Sequence, residues 1–303
     1  MLPFMEARDA ATAAALAAGI RDLVEGRGAA GAIVGLSGGL DSAVLASLAA
    51  RALGAERVRA FFLGERDSEA ASLDRAREIA AALGISLAER SLEAELREAG
   101  LYQPAAMRFV ARSARVNRAV ARLLGRLGGG SPYAWVLRRR AGAGRGPGRI
   151  IYERWIRPVE AAAHARHRLR RAVLEAEAAA RGLVLLGAAN RSELMLGWYV
   201  TGGIDDVPDS PLLGLTKTRV RRLAAALDIP RSIRDAPPSP DMIPGITDEL
   251  ALGITYEAAD RVLDAMDAGR DAAAAIPHGL SRRDVARVRE LHRLTAWMRE
   301  AAP

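Results

Sequence analysis

Two periods of hydrophobic and polar positions alternate along this chain. Short apolar runs at Ala32–Val34, Val58–Leu63, Ile85–Ala88 and Leu183–Leu186 have the length and flanking residues of buried strands. Between and after them, apolar residues spaced three and four apart predict helices over Glu6–Arg27, Asp41–Leu53, Ser68–Leu83, Val159–Ala180, Thr216–Leu227, Thr255–Met266 and Ser281–Met298. Gly54, Gly84 and Gly182 stand where three of these helices should stop. Strand, helix and strand following at short spacing predict a doubly wound parallel α/β sheet. In such sheets ligands collect at the C-terminal ends of the strands.

One of those ends carries the chain's clearest chemistry. The first strand runs into Gly35-Leu36-Ser37-Gly38-Gly39-Leu40-Asp41-Ser42, and a helix opens there. A glycine turn at a helix N-terminus is an anion site, because unpaired backbone N–H groups and the helix dipole both favour negative charge. Gly38 and Gly39 let a phosphate approach the backbone, and Ser37 and Ser42 add hydroxyls. Asp41 would repel a bare phosphate, so its place here implies a divalent cation between the two. The loop lacks the lysine of a Walker A motif.

Composition narrows the class. The chain has 303 residues, half of them hydrophobic, which is enough for a sizeable core. It has no cysteine, so disulfides, thiolate metal sites and cysteine nucleophiles are excluded. No apolar run approaches a membrane span, nothing reads as a signal peptide, and a cytoplasmic location is expected. The formal net charge of +8 comes mainly from arginine. An arginine- and alanine-rich composition accounts for much of it, so nucleic acid is not the expected partner.

The basic character concentrates in one stretch. No acidic residue lies between Glu98 and Glu153. Arg108, Arg112, Arg115, Arg118, Arg122 and Arg126 form one stripe of a helix expected over Pro104–Leu127, with Phe109, Val116, Val120, Leu123 and Leu127 on another face. Arg138 to Arg149 is rich in glycine and arginine and is expected to be a mobile loop. The stripe reads either as a solvated face or as a surface for phosphates or for the acids of another subunit.

Ser37-Gly38-Gly39-Leu40-Asp41-Ser42 resembles the pyrophosphate loop of the N-type ATP pyrophosphatases. Further stretches resemble one branch, the ammonia-dependent NAD synthetases. They are Arg168-Leu169-Arg170, Gly187-Ala188-Ala189-Asn190-Arg191-Ser192-Glu193, Lys217-Thr218-Arg219, Pro237-Pro238-Ser239 and Thr247-Asp248-Glu249 through Tyr256-Glu257. The resemblance implies an adenine nucleotide α-hydrolase-like, Rossmann-like fold over 1–303, with a basic insertion at about 101–160. It implies ATP contacts from Gly35, Leu36, Ser37, Gly38, Gly39, Leu40, Asp41, Ser42, Ala188, Lys217 and Ser239. It assigns Mg²⁺ to Asp41 and Glu193, catalysis to Asp41 and Lys217, and the dinucleotide substrate to Arg168, His292 and Arg293. His292-Arg293-Leu294 stands where the family has His-Lys-Arg.

The implied reaction is adenylation of the carboxylate of deamido-NAD, then amide formation with ammonia, in a homodimer. Alternatives are a related ligase for another carboxylate and an RNA-modifying pyrophosphatase. By the resemblance, Ala188 stands where the family has a threonine near the nucleotide, and on the acceptor side Thr201 stands where it has a lysine and an aspartate is missing near Pro208. Asp206 or Asp209 is expected to substitute for that aspartate after a small loop shift.

Overall fold

The computed structural model describes residues 2–102, 113–142, 146–240, 243–269 and 280–300. The elements begin with α1 (Leu2–Gly26), β1 (Gly31–Gly35), α2 (Leu40–Leu53), β2 (Val58–Gly64), α3 (Ala70–Leu83), β3 (Ser86–Ser91) and α4 (Glu93–Glu98). Then come α5 (Ala114–Leu127), α6 (Pro132–Arg140), α7 (Pro147–Ile151), α8 (Arg157–Arg181), β4 (Leu183–Leu186) and α9 (Arg191–Leu196). The chain continues with α10 (Lys217–Ala226), α11 (Arg231–Arg234), α12 (Asp248–Leu252), α13 (Tyr256–Asp267), α14 (Arg282–Leu294) and α15 (Ala296–Glu300). No helix among the described residues is long and apolar enough to cross a membrane.

Two compact units emerge. The first comprises Met1–Glu95, Arg166–Arg191 and Tyr199–Pro237. It holds a four-stranded sheet of order β3-β2-β1-β4, parallel throughout. The central strand β1 is paired on both sides, and Ala32, Ile33 and Val34 are fully buried. That explains why its sequence is a continuous apolar run rather than an alternating one. Helix α2 is buried along nearly its whole length, from Ser42 to Leu53, which its small and aliphatic side chains permit. Gly84 ends α3 in the left-handed region at φ 66°, donating its N–H to Ala80 O and Ala81 O.

The second unit comprises Leu96–Ala165, Ser192–Trp198 and Pro238–Pro303. Its core gathers Leu137, Leu196, Leu252, Tyr256, Leu263, Val288 and Leu291. The helices here are capped by side chains. Ser131 Oγ accepts from Ala134 N at 2.9 Å and donates to Ala251 O at 3.1 Å. Thr255 caps α13, and Ser281 with Asp284 forms a capping box on α14.

One expectation about the basic stretch changes. Arg138–Arg140 are not loop residues but the last turn of α6, because Ser131 caps that helix, Pro132 opens it and Trp135 and Leu137 are buried. Helix α5 buries Asn117, Ala121 and Gly125, while Val116, Val120, Leu123 and Leu127 are exposed. The small residues allow close approach on the other side, and Asn117 Nδ2 donates to Pro244 O at 3.0 Å. The expected start of that helix, with Arg108, Phe109 and Arg112, lies outside the described residues, as does Arg145.

Candidate active site

The loop after β1 is shaped by its own hydroxyls. Ser42 Oγ donates to Gly39 O at 3.0 Å, accepts from Ser37 N at 3.2 Å and lies 3.1 Å from Ser37 Oγ. Ser37 Oγ also accepts from Gly39 N at 3.3 Å. Gly38 adopts φ +75°, and a Cβ there would lie 2.1 Å from Ser72 O. Only glycine fits both constraints. Arg75 Nε donates to Gly38 O at 3.0 Å and fixes the turn from outside. Gly39 is the N-cap of α2 and supplies no side-chain cap, so the first-turn N–H groups are left for a ligand.

Asp41 sits in the first turn of α2, where the helix dipole favours an anion. Its Oδ1 accepts from Asn190 Nδ2 at 3.0 Å. Its Oδ2 accepts from Lys217 Nζ in a short ion pair. Lys217 is the first residue of α10, a position where the dipole disfavours a cation. Its side chain is only 4% exposed, and the Asp41 carboxylate compensates for both penalties. The fold thus brings together the glycine loop, Asp41 and Lys217. Asn190 joins them; it stood inside a quoted motif, but no local pattern distinguished it from a turn residue.

Helix α8 presents a row of cations to the same unit. Arg166, 1% exposed, pairs with Asp67 at 3.0 Å and with Glu65 at 3.4 Å. Arg170 pairs with Glu65 at 2.9 Å. Arg171 pairs with Glu175 at 2.7 Å. Arg168, by contrast, is exposed and has no hydrogen-bond or ion-pair partner among the described residues.

The loop from Asp205 to Asp209 carries three carboxylates. Asp209 is engaged by Arg27 through both oxygens. Asp206 Oδ2 accepts from Gly202 N at 2.7 Å. Asp206 and Asp209 thus each have a partner within the first unit. Asp205 instead meets His167 Nδ1 at 2.6 Å. Burial pushes the Asp205 carboxyl up, but His167, Arg170 and Lys217 outweigh it, and the carboxyl titrates below its ordinary value.

The remaining expected residues are distributed as follows. Ala188 lies just after β4, half-buried against the core of the first unit. Glu193 lies in α9 and Ser239 donates to Ile246 O at 3.2 Å, both in the second unit. His292 Nδ1 lies 3.2 Å from Met195 O in that unit, and Arg293 is exposed beside it. Among the described residues no group of three or more His, Asp or Glu could hold a metal ion. A Mg²⁺ carried on nucleotide phosphates needs only one or two protein carboxylates, and Asp41 offers hard anionic oxygens beside an anion-binding loop.

A four-stranded parallel sheet with this anion-binding loop at the C-terminal end of β1 defines an α/β protein of the nucleotide-binding kind. The NAD synthase family model matches residues 12–118 and 157–302. The chain is 38% identical over 252 residues to the NH₃-dependent NAD⁺ synthetase of Thermotoga neapolitana, covering 83% of each. It is 37% identical to that of Thermotoga maritima, covering 83% of this chain and 85% of the relative. It therefore belongs to the NAD synthase family. Among solved structures it resembles an NMN synthetase from Francisella tularensis (TM-score 0.69, 22% identity, 97% of each chain). It also resembles the NH₃-dependent NAD synthetase of Campylobacter jejuni (TM-score 0.65, 18% identity, 95% of each chain). At those identities the likeness concerns the fold.

Proposed function

We propose that this protein is an ammonia-dependent NAD synthetase that uses ATP and Mg²⁺ to amidate the carboxylate of deamido-NAD. The observation that carries the reading is the Asp41–Lys217 ion pair at the opening of the Ser37–Ser42 loop. The loop N–H groups and the N-terminus of α2 hold the triphosphate. Asp41 and Glu193 have the role of Mg²⁺ ligands; the ion, when bound, neutralises phosphate charge. Lys217 offsets the charge that builds on the departing pyrophosphate. Arg168, unpaired among its helix's cations, holds the anionic acceptor, with His292 and Arg293 as further substrate contacts.

The chemistry then runs in two displacements. The acceptor's carboxylate oxygen attacks the α-phosphorus, the α–β bridging P–O bond breaks, and pyrophosphate leaves with the bonding pair. Ammonia attacks the acyl carbon, AMP leaves, and one proton is released. A second copy of the chain is the expected partner.

A different anionic carboxylate is the second reading. Thr201 and Pro208 are exposed and uncharged where the family carries charges, and Asp206 and Asp209 are already engaged. One lost charge-assisted contact is worth about 1.5–3 kcal/mol, roughly ten- to a hundredfold in affinity. Steady-state kinetics with deamido-NAD, ATP and ammonium decide between them. A micromolar KM with ordinary turnover supports the first reading; millimolar KM and poor turnover overturn it in favour of the second.

A further inference from the structure

Helix α9, which carries Glu193, spans only Arg191–Leu196. So short a helix has no stability of its own, and its orientation is set by what grips it. Among the described residues of the second unit, Asp260, His292 and Arg299 do so. Ser192 Oγ donates to Asp260 Oδ1 in a short hydrogen bond that links residues 68 positions apart. At the other end His292 Nδ1 and Arg299 Nη1 both meet Met195 O, at 3.2 and 3.1 Å. Leu196 anchors the helix in the core of that unit.

The Ser192–Asp260 contact is the unusual one. Ser192 is fully buried and Asp260 is 3% exposed. A carboxylate is costly to bury, and a hydroxyl–amide or an apolar pair would hold a short helix at less expense. Asp260 lies on α13, whose other buried residues are Tyr256, Ala259, Val262, Leu263 and Ala265. It thus reaches out of an apolar helix face to the residue immediately before Glu193.

We propose that Asp260 is a positioning residue: through Ser192 it fixes the start of α9 and so the direction in which Glu193 offers its carboxylate to a divalent cation. The inference rests on the reading of Glu193 as a Mg²⁺ ligand. Partners one step removed from a metal ligand typically control affinity by ten- to a hundredfold. Asp260 acts one step further out, through Ser192, and nothing in its local sequence sets it apart from the other acids of α13.

The experiment uses the full chain with a non-hydrolysable ATP analogue and reads Mn²⁺ binding by electron paramagnetic resonance, with circular dichroism and melting to verify folding. Asp260→Ala and Ser192→Ala should each weaken Mn²⁺ about ten- to a hundredfold. The double variant should be no weaker than the worse single one, because both act through one contact. Asp260→Asn, whose amide oxygen still accepts the serine hydroxyl, should recover most of the affinity and covers the case in which the alanine variant does not fold. Glu193→Gln is the reference. Normal Mn²⁺ affinity in folded Asp260→Ala and Ser192→Ala, with Glu193→Gln impaired, overturns the positioning role and leaves the Glu193 reading standing. Normal affinity in Glu193→Gln overturns both.

Discussion

Lys217 Nζ donates to Asp41 Oδ2 across 176 positions of sequence, with the two side chains 4% and 16% exposed. The pair joins the first turns of two helices that the sheet brings side by side. For Asp41 the helix dipole is favourable; for Lys217 it is not. Each charge therefore makes the other's position tenable.

Removing both partners should cost less than the sum of removing each. Lys217→Met leaves Asp41 largely desolvated without its cation, and Asp41→Asn leaves Lys217 buried without its anion. Each single variant should lose about 1–3 kcal/mol of stability, and the double variant less than their sum. Pyrophosphate exchange should fall by about a hundred- to a thousandfold in Lys217→Met. Chemical denaturation and the exchange assay check both; additive stabilities would refute the coupling.

Gly38→Ala should damage the loop and spare the sheet. A Cβ there would lie 2.1 Å from Ser72 O, at a φ of +75° that alanine disfavours. We expect nucleotide affinity to fall by an order of magnitude or more, about 1.4 kcal/mol or above, with secondary structure intact. Calorimetry with an ATP analogue measures it, and wild-type affinity would mean that the loop does not hold the nucleotide.

Asp205 gives a pH dependence with a definite sign. Its folded-state carboxyl is held below its ordinary value because His167, Arg170 and Lys217 outweigh its desolvation. A depressed carboxyl contributes stability that is present above the unfolded value, about 3.9, and is lost as pH falls through the folded value. Its side chain is a third exposed, so solvent screening keeps the contribution small. Asp205→Asn should flatten the decline of the urea midpoint between about pH 5 and 3. An unchanged slope would count against it.

Arg138 should matter for stability rather than for nucleic acid. It pairs with Glu290 at 2.8 Å and donates to Gly128 O at 2.9 Å, so its charge is already used within the second unit. Arg138→Ala should lower stability by about 1 kcal/mol while leaving retention on heparin or RNA unchanged. A marked loss of salt-sensitive retention would restore the polyanion reading of this stretch.

What the chain's order of residues determined is local. The apolar runs at Ala32–Val34 and Leu183–Leu186 form strands because both faces are covered. The Ser37–Ser42 loop is legible because its glycines answer to backbone geometry within one turn. Helix ends at Gly84 and Thr255 follow from caps a few residues away. What only the tertiary structure decided is pairing at long range. Nothing near Lys217 or Asn190 states that both will meet Asp41. Nothing near Asp205 distinguishes it from Asp206 and Asp209, whose carboxylates are taken by a backbone N–H and by Arg27. Likewise Val116 and Leu123 are apolar yet exposed, while Ala121 and Gly125 are buried, because backbone proximity rather than hydrophobicity chose the packed face of α5. Periodicity reports which positions one element buries; which side chains meet is fixed only when separate elements close on one another, and that closure supplies the ion pairs on which the proposed chemistry depends.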